Sequence, residues 1–71
     1  MNRFLRYSLE HGRPIRAVFL LGEQMVQKTV TVLAVEAGNV TLKIGAKKTP
    51  ILVPIGDVFS CDYARGDRGE D

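Results

Sequence analysis

Tryptophan is absent from this 71-residue chain, and cysteine and histidine occur once each, as Cys61 and His11. A lone cysteine closes no intrachain disulfide and builds no cysteine-rich zinc site. As a nucleophile Cys61 would need a base to make its thiolate. Its place in an alternating apolar stretch suits a small core side chain better. His11 falls at a predicted helix end, where capping accounts for it, and general acid–base work also needs a partner within reach. Asp57 and Asp62 offer two carboxylates without histidine support, a weak donor set for a metal. Gly38, Gly45 and Gly56 stand apart and form no phosphate-binding loop. No apolar run reaches the length of a membrane span, and MNRFLRYSLEHGR has no signal-peptide core. These absences predict a non-enzyme with no cofactor and no metal, away from membranes, in a reducing cytoplasmic setting.

What is present is ordinary for a small globular domain: 45% hydrophobic and 25% charged residues. So short a chain builds one core, worth roughly 3–5 kcal/mol of net stability, and oligomerisation is a natural supplement. The net charge of +2 is unevenly placed. Arg3, Arg6, Arg13 and Arg16 outweigh Glu10 in the first stretch, and Lys28, Lys43, Lys47 and Lys48 outweigh Glu23 and Glu36 in the middle. The end is acidic, with Asp57, Asp62, Asp67, Glu70 and Asp71 against Arg65 and Arg68. A basic body attracts polyanions, and an acidic end competes for the same surface. A mixed, solvated surface serves solubility just as well.

The strongest pattern runs from Gln27 to Gly45. Val30 and Val32 alternate with Thr29 and Thr31, and Val40, Leu42 and Ile44 alternate with Thr41 and Lys43, the period of two that a strand imposes. Ala37-Gly38-Asn39 between them supplies residues that tolerate positive φ, so the pattern predicts a hairpin. Before it, residues 2–11 read as a short helix with Asn2 as N-cap, a Gly12 stop and Pro14 beyond. Phe4, Leu5, Ser8 and Leu9 then line one side. Leu5, Tyr7 and Leu9 also alternate as in a strand, so both readings stand. A first strand puts Ile15, Ala17, Phe19 and Leu21 on one face and ends at Gly22-Glu23-Gln24. In the second strand, Val32-Leu33-Ala34-Val35 is apolar on both faces, which predicts a well-covered central strand. A basic loop over residues 46–50 precedes a fourth strand, Ile51-Leu52-Val53, closed by Pro54. One tight turn over residues 54–58 leads to a fifth strand with Phe59, Cys61 and Tyr63 facing the core. Residues 65–71 hold no apolar side chain and are expected to form a disordered acidic tail beyond a single domain over residues 1–64.

A helix followed by five short strands, with a turn between the fourth and fifth, is the layout of the small SH3-type barrels. Over residues 2–64 the chain resembles an Sm-like protein. The likeness lies in the first strand ending at Leu21-Gly22, the long second strand, and the turn that gives Asn39-Val40-Thr41-Leu42. Glu36-Ala37-Gly38-Asn39 is similar to the acidic residue and asparagine that Sm-like proteins carry around that turn, and Arg65-Gly66 to their second signature, although here it follows the fifth strand. The resemblance implies a five-stranded Sm-like barrel with an N-terminal helix, RNA as a partner, and an Asn39 that helps hold a base. The helix is also similar to the start of WYL-type regulatory domains, whose tryptophan is missing here.

Two classes of function follow. One is a nucleic-acid-binding module for RNA or single-stranded DNA, with Arg16, Lys43, Lys47 and Lys48, and Arg13 beside them, on phosphates. Tyr7 or Tyr63 would stack on bases. The other is an assembly module that pairs its exposed strand edges with copies of itself, as a homo-oligomer, or with a partner chain.

Overall fold

Residues 2–69 are described by a computed structural model, which places them in one helix, five strands and a short 3₁₀ turn. The helix reading holds over α1 (Arg3–His11). Its first turn is capped by Asn2, whose side chain accepts from the Phe4 amide at 2.7 Å. It stops at Gly12, which takes the left-handed conformation with φ 65° and donates its amide to the Ser8 carbonyl. A side chain there would be strained, so glycine ends the helix.

The strands are β1 (Ile15–Leu21), β2 (Gln24–Glu36), β3 (Asn39–Ile44), β4 (Ile51–Pro54) and β5 (Val58–Tyr63), with the 3₁₀ turn at Ile55–Asp57. They form one antiparallel sheet in the order β4-β3-β2-β1-β5. The central hairpin is β2–β3, pairing Val30 with Ile44 and Val32 with Leu42. Its turn is tighter than the three residues expected. Ala37 and Gly38 alone span it, at φ 52° and 79°, and Asn39 already belongs to β3. Positive φ at both positions is the type I′ geometry that matches strand twist.

The sheet is open, and the expected closed barrel is not formed. β4 is four residues long and pairs only with β3, while β5 pairs only with β1, so the two ends of the sheet stay unjoined. Helix α1 covers one face instead, packing on β2, β5 and β1. The core is therefore closed without the edges meeting. It consists of Leu5 and Tyr7 from α1 with Ile15, Ala17, Phe19, Val30, Val32, Val40, Leu42 and Val53 from the sheet. Burying such side chains is worth roughly 1.5–3 kcal/mol each before the entropy of ordering the chain is counted.

Two bulges depart from the expected alternation. In β2 the register with β3 shifts between Val32 and Ala34, so Leu33 is the extra residue and is 47% exposed. The apolar run Val32–Val35 is thus two in-facing stretches joined across a bulge, not a strand covered on both faces. In β5 the partners of Val18 and Phe19 are Ser60 and Val58, which leaves Phe59 unpaired. Phe59 points outward, 52% exposed, and Val58 packs with Cys61 and Tyr63 against the core in its place. Leu9 and Leu21, expected inside, lie on the rim.

Candidate nucleic-acid interface

The basic loop is held by its own backbone. The Gly45 amide donates to the Thr29 carbonyl at 2.9 Å and the Lys47 amide to the Ile44 carbonyl at 3.0 Å. Lys47 and Lys48 are exposed on that loop. Lys43 sits in β3 opposite Thr31, and Arg16 sits in β1 opposite Thr29. Thr29 stands midway along β2, where β1 begins and β3 ends, so Arg16, Lys43 and the loop lysines come near one another there. Lys28, which the pattern did not single out, is next to Thr29 but opposite Ala17, so it leaves from the other face.

Asn39 is not part of this group. It begins β3, pairs with Glu36 and Pro54, and lies a strand length, about 17 Å, from Ile44. Its neighbourhood is acidic, with Glu36 across the turn. Arg16 is also engaged: its guanidinium donates to the Tyr63 carbonyl at 3.1 Å and to Asp62 Oδ2 at 3.3 Å. That ion pair is exposed and partly offsets its charge.

The two tyrosines face inward rather than toward a base. Tyr7 is buried, and its ring meets Tyr63 edge-on at 5.2 Å and His11 at 5.0 Å. Tyr63 in turn packs edge-on against Phe4 at 4.8 Å. The polar end of Tyr7 binds the C-terminal segment. The Tyr7 hydroxyl donates to Asp67 Oδ2 at 2.7 Å, Arg13 Nη1 donates to the Tyr7 oxygen at 2.9 Å, and the Gly69 amide donates to Asp67 Oδ1 at 2.8 Å. The Gly69 amide, first, and the Tyr7 hydroxyl hold the Asp67 carboxyl below the usual carboxylate range, while burial and the Asp67 hydrogen bond push the Tyr7 phenol up.

This clasp docks residues of the expected free tail. Gly69 lies so close to the Tyr63 ring that a Cβ there would overlap it. Glu70 and Asp71, the rest of that tail, lie outside the described residues. A segment without apolar side chains is held here by one carboxylate and one glycine, a signal that hydrophobicity does not carry.

Cys61 is half-buried, and burial pushes its thiol pKa up, away from a reactive thiolate. Among the described residues no group of three or more His, Cys, Asp or Glu gathers as metal ligands would, and no helix is long and apolar enough to cross a membrane. The exposed aromatic of the sheet is Phe59, which sequence reasoning placed in the core. No protein-family model, curated protein or solved structure matches the chain.

Proposed function

We propose that this chain is a small non-enzymatic binding module of the Sm-like kind that contacts single-stranded RNA or DNA through the basic patch midway along its sheet, in the cytoplasm where Cys61 stays reduced. The observation that carries the reading is the gathering of Arg16, Lys43, Lys47 and Lys48 around Thr29. Lysines on an exposed loop have no role in the core, and phosphates are the ligands that such charges attract. The helix-then-strands order, with a 3₁₀ turn between β4 and β5, supports the Sm-like resemblance. Asn39, at the far end of β3, lies outside the patch on which this reading rests.

The test is a titration of labelled oligonucleotide at several salt concentrations. Lys47→Glu with Lys48→Glu weakens binding, and the log–log salt slope becomes shallower by about 0.7 per lost contact. The fold is unaffected, since exposed charges contribute little to stability. Wild-type protein that forms no complex at low salt and high micromolar concentration removes the reading.

A second reading, self-assembly into a homo-oligomer, is favoured by the unpaired sides of β4 and β5 and by Leu52, 66% exposed on β4. Two different edges meeting head to tail build a ring or a filament. Its measure is molecular mass against protein concentration, which rises with concentration in the wild type and stays at the monomer value in Leu52→Lys.

A further inference from the structure

We infer that the face of β5, β1 and β2 turned away from the core is a nucleobase platform for the strand whose phosphates meet Lys43, Lys47 and Lys48, an inference that rests on the nucleic-acid reading above. The register builds the platform row by row. Ile15, Ala17 and Phe19 are buried, so Arg16, Val18 and Leu20 point to the opposite face. Arg16 lies between Thr29 and Asp62, and Val18 between Gln27 and Ser60. Leu20 lies beside Met25, and Phe59 stands out from the β5 bulge next to the Val18 row. A charged row, an amide–hydroxyl row and an apolar row thus follow one another.

The middle of this face is a groove of about 390 Å³ lined by Arg16, Val18, Gln27, Ser60, Cys61 and Asp62. Its size is that of a small-ligand cleft. Neither the Gln27 amide nor the Ser60 hydroxyl is committed to another described residue. An amide and a hydroxyl read the donor–acceptor edge of a base, as unpaired bases are read in single strands. Phe59 supplies the stacking surface, and Arg16 one phosphate contact. From strand and pleat spacings Arg16 and Lys43 are about 12 Å apart on the same face, so a backbone can pass from one to the other and on to the loop lysines. Asp62, held by Arg16 and by the Tyr63 amide, is the anion beside the Arg16 row and turns the phosphate path toward β3. Charge toward β3 and apolar surface at the Leu20–Met25 end, with Phe59 beside it, match the two halves of a nucleotide.

The experiment compares two labelled probes of about ten nucleotides, one of oligothymidine and one of the same backbone without bases. Wild-type protein binds the oligothymidine about tenfold or more tighter, as aromatic stacking gives. Phe59→Ala and Gln27→Ala each bring the two affinities together, while Lys47→Glu with Lys48→Glu weakens both in parallel. Phe59 and Gln27 are exposed, and a thermal melt verifies that their variants fold. Equal binding of both probes by the wild type overturns the platform and leaves phosphate binding intact. Binding of neither probe removes the nucleic-acid reading and the platform with it. A preference for bases that survives Phe59→Ala, with a loss of concentration-dependent mass in that variant, assigns the face to a second copy and overturns the platform.

Discussion

Ser8 is fully buried in the core, yet it is polar, and its hydroxyl serves two backbones. It donates to the Arg13 carbonyl at 2.6 Å and accepts from the Val32 amide at 2.8 Å. Val32 borders the β2 bulge, where the ladder is interrupted, so the helix completes the sheet there through one oxygen. Ser8→Ala leaves a buried amide and a half-buried carbonyl without that partner, at a cost of about 1–3 kcal/mol. In a domain of this size each kcal/mol moves Tm by about 4–8 °C, and a circular dichroism melt reads the difference. A melting point unchanged within a degree or two would show that the bond contributes nothing. Asp67 makes a second prediction at this scale. A carboxylate with a depressed folded pKa contributes stability above its unfolded value, about 3.9, and loses it as pH falls through the folded one. Tyr7, raised by burial and by Asp67, contributes below about pH 10 and loses that as pH rises through its folded pKa. The clasp is therefore tight between about pH 4 and pH 10. The Gly69 amide proton resonance should titrate with a midpoint below the usual carboxylate range, and Asp67→Asn should abolish that titration.

At the scale of elements, bulges separate what alternation can tell from what it cannot. The central hairpin was legible because Val30, Val32, Val40 and Leu42 repeat with period two and all four are buried. The helix was legible from Asn2 and Gly12, its two ends, better than from its middle. Leu9 fitted the apolar side by spacing, but Tyr7 took an inside place because its hydroxyl finds Asp67 and Arg13. Phe59 was misplaced by its bulge, whereas Leu33, outward by plain alternation from Val32, was expected under a cover that this face of the sheet lacks. An extra residue in a strand reverses the facing of everything beyond it, and no residue type around Phe59 announces the insertion. Of the candidate site, the loop lysines were legible as charges without a core role, and the distance of Asn39 from them was legible too, since one strand, Asn39–Ile44, lies between. Substitution separates the two kinds of leucine. Leu42→Ala should cost about 2–5 kcal/mol and unfold much of the population, given a total of roughly 3–5. Leu33→Ala should stay within about 0.5 kcal/mol, as surface changes do. Urea titrations of the two variants measure both, and equal losses would remove the placing of Leu33 on the open face.

The whole molecule is an open sheet closed on one face by a helix, with cations concentrated where Thr29 meets Gly45. Its chemistry is divided along that sheet: apolar outward residues such as Leu20, Met25 and Phe59 toward one end, an acidic turn at Glu36 at the other, and the cations between them. This division is why net charge alone, at +2, understates what the surface can attract. It also makes one global prediction. Raising salt from low to physiological strength should weaken oligonucleotide binding steeply and leave Tm nearly unchanged, because the cations are exposed and the core is apolar. A melting point that falls along with binding would mean that the same charges hold the fold together.

The pairing of β1 with β5 has a mechanical consequence. Ile15 lies opposite Tyr63 at one end of this antiparallel pair, so a pull applied through the flanking residues, on Arg13 and Ala64, acts at a single end of the ladder. Hydrogen bonds loaded in that way break one after another, like a zipper, and resist far less than bonds sheared together. The Tyr7–Asp67–Arg13 contact sits at that same end and is the fastener that must open first. Tension on this domain would thus free its C-terminal segment, then peel β5 away, and only afterwards disturb the central hairpin. In an optical-trap experiment Asp67→Asn should lower the force of the first opening and leave the later steps unchanged.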